Sequence, residues 1–212
     1  MIVKICGIKA LAEALAALDA GAGMLGFNFY SSSPRCIQQA ACAEIISSLR
    51  MMGKSAVCVG VFVNEDPGRV KEILDSCSLD LAQLSGDEPP VSLAVLDGRA
   101  FKAVRPVSIS AADDVLRTYA RTSPPALLVD AKVKGAYGGT GKTGNWAIAQ
   151  HLAERAPVLL AGGLNPQNVG EAIRRVRPWG VDVASGVESS PGVKDPAKIR
   201  AFMEAVRDAR VS

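Results

Sequence analysis

The sequence predicts an α/β fold, a single-domain (β/α)8 TIM barrel, and three observations carry that expectation. Short β-branched or apolar runs alternate with segments of helical period along the whole chain, the pattern of a parallel sheet covered by helices. Eight such units can be drawn, which is the barrel number. The 212 residues give about 26 per unit, short for such a barrel but workable with tight loops. A doubly wound open sheet is the competing architecture. Against it, the first βα turn reads Cys6-Gly7-Ile8-Lys9 and lacks the G-x-G-x-x-G of dinucleotide binding. No compositional break marks a linker, so one domain is expected over residues 1–212.

Each element has a local cause. The strands expected are Ile2 to Ile5, Met24 to Phe29, Ala56 to Val63, Leu79 to Leu84, Ala100 to Val104, Ala126 to Asp130, Pro157 to Ala161 and Gly180 to Ala184. The first helix shows an apolar stripe of Leu11, Ala14, Leu15 and Leu18, and Gly21 stands where a helix end wants a residue tolerant of positive φ. Asp66-Pro67, Asn165-Pro166 and Asp195-Pro196 each place a capping side chain before a proline suited to the first helical position. Behind them run the stripes Val70, Ile73, Leu74 and Cys77, then Val169, Ile173 and Val176, then Ile199, Phe202, Met203 and Val206.

Composition narrows the function. The apolar share of 49% supplies a sizeable core, while a net charge of +3 with scattered basic residues and 5% aromatics offers neither a phosphate-tracking groove nor a base-stacking platform. Nucleic acid is not an expected partner. Apolar runs such as Ala56 to Val63 fall far short of the roughly 20 residues of a spanning helix, so no membrane partner is expected. Glu13 and Asp19 interrupt the alanine-rich segment near the N-terminus, where a secretory signal would be apolar, and a cytoplasmic location is expected. The five cysteines form no C-x-x-C pair and read as free thiols, and a single histidine, His151, lies within a helical segment. Neither a zinc cluster nor a multi-histidine metal site is available, and acid/base groups must come mainly from Asp, Glu, Lys, Cys or Tyr.

Two residues stop a strand at the rim where barrel enzymes keep their chemistry. Cys6 ends IVKIC, and Asp130 ends LLVD. A buried cysteine is most often a small core residue, and Asp130 could equally cap a loop or pair with Lys132. Strands one and six nevertheless lie well apart around a barrel. A thiol and a carboxyl on opposite sides of one pocket suit a reaction that removes a proton at one atom and delivers one at another, an isomerase or a lyase. By alternation Lys4 shares the inward face with Cys6, and Asp182 faces inward with Ala184, so Lys4 is expected to pair with a barrel acid such as Asp182. Gly162-Gly163 after strand seven and Ser185-Gly186 after strand eight offer unencumbered backbone amides where barrels commonly bind phosphate. Arg35 in SSSPR could grip a substrate carboxylate through its forked donors. Ala136 to Thr143, AYGGTGKT, fits a loosened Walker pattern but does not follow directly on a strand. A loop over the barrel mouth explains Gly138, Gly139 and Gly141 more simply.

KICGI, GFNFY…SPR, GVFVNE, QLSGDE, VDA…GGTGKTGNW, LAGGLNPQNV and DVASGVESSPGVKD, in that order, resemble the phosphoribosylanthranilate isomerase family of tryptophan biosynthesis. The resemblance spans the chain and implies a (β/α)8 barrel that binds a small phosphosugar and performs, without a cofactor, the Amadori rearrangement of N-(5'-phosphoribosyl)anthranilate to 1-(2-carboxyphenylamino)-1-deoxyribulose 5-phosphate, as a monomer or homodimer. It implies that Asp130 protonates the ribose ring oxygen, that Cys6 takes the C2' proton and that Arg35 holds the anthranilate carboxylate. Gly141, Gly162, Gly163, Ser185 and Gly186 would receive the phosphate, with Asp182 lining the same site. The chain departs from the family pattern at Ser85, usually histidine, at Cys36, usually aromatic, and at Gly144, usually phenylalanine. Competing readings are another phosphosugar barrel, including a bifunctional one serving histidine synthesis, a sugar-phosphate-binding protein without turnover, and an NTPase.

Overall fold

The computed structural model describes residues 1–131 and 145–211. Eight parallel strands, β1 (Ile2–Cys6), β2 (Met24–Asn28), β3 (Val57–Phe62), β4 (Leu81–Leu84), β5 (Ala100–Val104), β6 (Leu127–Asp130), β7 (Val158–Ala161) and β8 (Gly180–Val183), close into a barrel in chain order. The seam pairs Ile2 with Gly180 and Lys4 with Asp182. The helices are α1 (Leu11–Asp19), α2 (Gln39–Met51), α3 (Pro67–Ser76), α4 (Pro90–Val95), α5 (Ile109–Tyr119), α6 (Trp146–Ala153), α7 (Val169–Val176) and α8 (Pro196–Val211). Between β8 and α8 lie a 3-10 turn (Ser185–Val187) and a small antiparallel pair, β9 (Glu188–Ser190) with β10 (Val193–Lys194). The (β/α)8 barrel expected from the alternation is therefore the fold observed, and each of the eight barrel strands begins and ends within two residues of its expected bounds.

Alternation divides the apolar residues into two layers. Odd positions of β1 and their equivalents, including Val3, Ile5, Leu25, Phe27, Leu127, Val129, Leu160 and Val181, pack outward against helix stripes such as Ala14 and Ala17 of α1 and Val70, Ile73 and Leu74 of α3. Met24, Val59, Phe101, Leu128 and Leu159 fill the barrel's interior as a second cluster. Lys4 and Asp182 are inward too, so the upper interior turns polar. Among the described residues no helix is long and apolar enough to cross a membrane.

Helix starts follow their capping chemistry, with one correction. The Asp66 side chain accepts from the Arg69 amide, and Asp195 accepts from the Ala197 and Lys198 amides at the start of α8. Asn165-Pro166 does not start α7. Asn165 Oδ1 accepts from the amides of Gln167 and Asn168, and Asn168 Oδ1 accepts from the Asn165 amide, so the pair closes a turn and the helix begins at Val169. His151 is structural: its Nε2 lies 2.6 Å from Asp113 Oδ1 and ties α6 to α5.

Gly180 lets the seam close. A Cβ there would stand 2.8 Å from Ile2 O, Ile2 Cγ2 and Leu159 Cδ2 at once, and one of those atoms is backbone. Gly180→Ala is expected to lower unfolding free energy by about 1–3 kcal/mol through overpacking. Urea unfolding monitored by far-UV circular dichroism measures it.

Candidate active site

The C-terminal ends of the strands carry an unusually polar rim. Cys6 is buried at 8% exposure at the end of β1, and Lys4, two residues earlier on the same inward face, is fully buried. Lys4 Nζ donates to Asp182 Oδ1 at 2.8 Å, the pairing expected from alternation. Gly26 on β2 makes room for both side chains, since a Cβ there would fall 2.8 Å from Cys6 Sγ and 3.0 Å from Lys4 Nζ. Burial pulls the Lys4 ammonium toward its neutral form, but the charge of Asp182 and its contact with the thiol outweigh this and hold its pKa above the ordinary lysine value. Burial pushes the Cys6 thiol up, the Lys4 charge opposes that, Asp182 adds to it, and Lys194 acts in the same sense as Lys4.

A second ionic cluster abuts the first. Arg35, in the loop after β2, lays its aliphatic stem over Gly7, where a Cβ would meet Arg35 Cδ at 2.7 Å; Gly7 has a φ of +84°. Its Nε and Nη2 donate to the two carboxylate oxygens of Glu188 at 2.8 and 2.7 Å. Lys194 Nζ donates to the same carboxylate at 2.7 Å. The side chains of Glu188 and Lys194 are 4% and 0% exposed. Two cations on one carboxylate leave this trio with a net charge of +1. Burial alone would raise the Glu188 pKa, but its bonds to Arg35 and Lys194 outweigh it and hold the carboxyl below its ordinary value.

Asp130 ends β6 on the far side of the barrel. Arg105 Nε donates to its Oδ2 at 2.8 Å, with the Arg105 side chain largely exposed. Asp130 shares a cavity of about 210 Å³ with Gly162, Gly163, Ser185 and Asp182, while Gln83, Ala103 and Leu128 form its deeper wall. The two glycine loops touch: Gly186 lies so close to Leu164 O that a Cβ could not be accommodated. Of the residues singled out in the sequence, Asp130, Gly162, Gly163, Asp182 and Ser185 thus line one cavity. Gly186, Cys6 and Arg35 are not among the residues that line it: Gly186 packs against Leu164, Cys6 is linked to the cavity by Lys4, whose partner Asp182 does line it, and Arg35 is held by Glu188 outside it. Gly141 and the Walker-like Ala136 to Thr143 lie outside the described residues.

Sequence reading missed Glu188, Lys194, Gln83 and Arg105. Glu188 and Lys194 stand in GVESSPGVKD just after the last strand, and two opposite charges six residues apart around a glycine turn are the only local signal for their pairing. Gln83 alternates inward with Leu81 along β4, a polar residue in an apolar strand. Arg105 follows β5 with no local sign of its partner 25 residues away.

A closed parallel barrel with titratable side chains at the C-terminal ends of its strands defines an α/β-barrel enzyme. Comparison with known proteins makes the class specific. The family model for N-(5'-phosphoribosyl)anthranilate (PRA) isomerase matches residues 3–205. An N-(5'-phosphoribosyl)anthranilate isomerase from Roseiflexus castenholzii is 49% identical over 216 aligned positions, covering 99% of each chain. The crystal structure of phosphoribosylanthranilate isomerase from Thermotoga maritima superposes with a TM-score of 0.86 at 37% identity, covering 98% of this chain and 100% of that one. A phosphoribosylanthranilate isomerase in complex with reduced 1-(o-carboxyphenylamino)-1-deoxyribulose 5-phosphate superposes with a TM-score of 0.83 at 34% identity, with the same coverage. The chain belongs to the N-(5'-phosphoribosyl)anthranilate isomerase family.

Glu188 gives the cluster a pH signature. Because its folded pKa is depressed, the stability it contributes is present above its ordinary value near 4.5 and is lost as pH falls through the folded value. Glu188→Gln leaves two buried cations without a counter-charge and is expected to cost about 3–5 kcal/mol at pH 7. It should also flatten the fall in stability below pH 4.5, which guanidinium melts between pH 3 and 7 measure.

Proposed function

We propose that the chain catalyses the Amadori rearrangement of N-(5'-phosphoribosyl)anthranilate to 1-(2-carboxyphenylamino)-1-deoxyribulose 5-phosphate, a step of tryptophan synthesis, with Cys6 as base and Asp130 as acid. The observation that carries this reading is the buried thiol beside Lys4 on one side of a barrel mouth and a carboxyl lining the cavity on the other. Asp130 donates a proton to the ring oxygen as the C1'–O bond breaks, opening the sugar to a protonated Schiff base. Cys6 removes the C2' proton, and its electron pair neutralises the iminium to give an enolamine. Protonation at C1' with loss of the enol proton then yields the ketone. The sequence of proton transfers balances without oxidant or reductant.

The surroundings support each role. A thiol held high by burial makes a stronger base once ionised, and the Lys4 ammonium stabilises the thiolate that must form. The surplus positive charge of Arg35 and Lys194 over Glu188 suits a substrate carboxylate, and Glu188 fixes the plane of the Arg35 fork. The adjoining loops at Gly162, Gly163, Ser185 and Gly186 suit the phosphate, since the glycines let backbone amides approach an anion. Asp182 neutralises Lys4 and faces the same cavity. Five free thiols agree with a cytoplasmic setting.

The test is the loss of anthranilate-type fluorescence when freshly made phosphoribosylanthranilate meets the purified protein. Cys6→Ala and Asp130→Asn are each expected to lower kcat about 10³-fold, with the reduced product analogue still bound. Wild-type protein that binds that analogue but does not consume substrate would overturn the assignment. In the pH profile, kcat/KM should rise as Cys6 ionises. Lys4→Met should move that limb to higher pH, with the Lys4→Met/Asp182→Asn double variant removing the stranded carboxylate as a cause.

A further inference from the structure

The deeper wall of the cavity holds a polar atom that the roles above leave unused. Gln83 is 6% exposed and faces inward from β4. Its Nε2 donates to Ser85 Oγ at 3.1 Å, which pins the amide plane at the end of the strand. Its Oε1 is buried and has no hydrogen-bond partner among the described residues. An acceptor left unmet in a buried position costs about 1–3 kcal/mol, so a fold that keeps one beside a cavity is holding it for a donor that arrives.

From this we infer that Gln83 is a substrate-positioning residue whose Oε1 accepts a hydrogen bond from a hydroxyl of the ribosyl moiety. The inference rests on the isomerase reading above and adds a contact to it. The chemistry of the substrate selects the partner. Phosphate and carboxylate are acceptors only and cannot satisfy Oε1, the anilino N–H is engaged by the carboxylate ortho to it on the same ring, and the sugar hydroxyls are the free donors. Topology points the same way. Gln83 and Asp130 lie on β4 and β6, and Ala103 on the intervening strand contributes only a methyl group to the cavity wall. With the phosphate at the β7 and β8 loops and the ring oxygen at Asp130, the remaining sugar hydroxyls are the groups left to reach toward β4. Ser85 holds the amide by one bond and lines the same cavity beside it.

Gln83→Met keeps the length and removes both polar atoms. The reduced product analogue, titrated calorimetrically, should bind about tenfold more weakly to Gln83→Met than to wild type. KM should rise by a similar factor, kcat should change less, and the factor should be the same across the pH profile because Gln83 does not titrate. The melting temperature should stay level or rise, since a buried unmet acceptor has been removed. A purely structural Gln83 would give the opposite pair, a lower melting temperature with unchanged affinity, and that result overturns the inference. Should Gln83→Met not fold, Ser85→Ala decides: it frees the amide to rotate and should weaken the analogue several-fold, and unchanged affinity overturns the inference. Wild-type protein that does not bind the analogue overturns the isomerase reading with it, whereas tight wild-type binding with no effect in either variant overturns the Gln83 contact alone.

Discussion

An ammonium placed inside a protein without a partner loses several kcal/mol of hydration, and Lys4 is fully buried within a barrel whose lower half is packed with apolar side chains. Asp182 meets it across the seam of β1 and β8 at 2.8 Å, from directly paired positions. The pair constrains much of what surrounds it. Gly26 makes room for it and for the thiol, since a Cβ there would fall 3.0 Å from Lys4 Nζ and 2.8 Å from Cys6 Sγ. The pair brings a positive charge to a thiol that burial alone would keep protonated. The proposed base therefore owes its environment to the contact that also joins the first strand to the last.

The second cluster shows the same economy of parts with a different result. The Glu188 carboxylate is shared between Arg35 and Lys194, and Lys198 Nζ donates to the Glu188 backbone carbonyl, so α8, β9, β10 and the loop after β2 are joined around one residue. Glu13 adds α1 by accepting from the Lys194 amide. A loop arginine that would otherwise be solvated is thereby held in a single orientation at the mouth.

The fold was legible because its causes are local. Period-two strands, helical stripes and the caps at Asp66 and Asp195 lie within a few residues of the elements they produce, and the inward alternation of Lys4, Cys6 and Asp182 needs only β-strand geometry. The delayed start of α7 shows the limit of that reasoning, because the reciprocal Asn165 and Asn168 bonds form a turn from the residue types that also cap helices. Half of the rim was legible for the same reason: strand ends announce Cys6 and Asp130, and glycine pairs announce their loops. What was hidden depends on partners far apart in sequence. Arg35 and Glu188 are 153 residues apart, and nothing around either names the other. The unmet oxygen of Gln83 is likewise a property of three-dimensional crowding, which a polar letter in an apolar strand does not reveal.

The seam between β1 and β8 also sets the order in which a ribosome-borne chain acquires its chemistry. Lys4 and Asp182 are separated by 178 residues, so the thiol emerges early while the carboxylate that balances its neighbouring lysine is among the last parts of the barrel to be synthesised. Until then β1 lacks one of its two flanking strands, and Lys4 has no reason to leave water. The charged surroundings of Cys6 are therefore complete only once the closing strand has paired with the first.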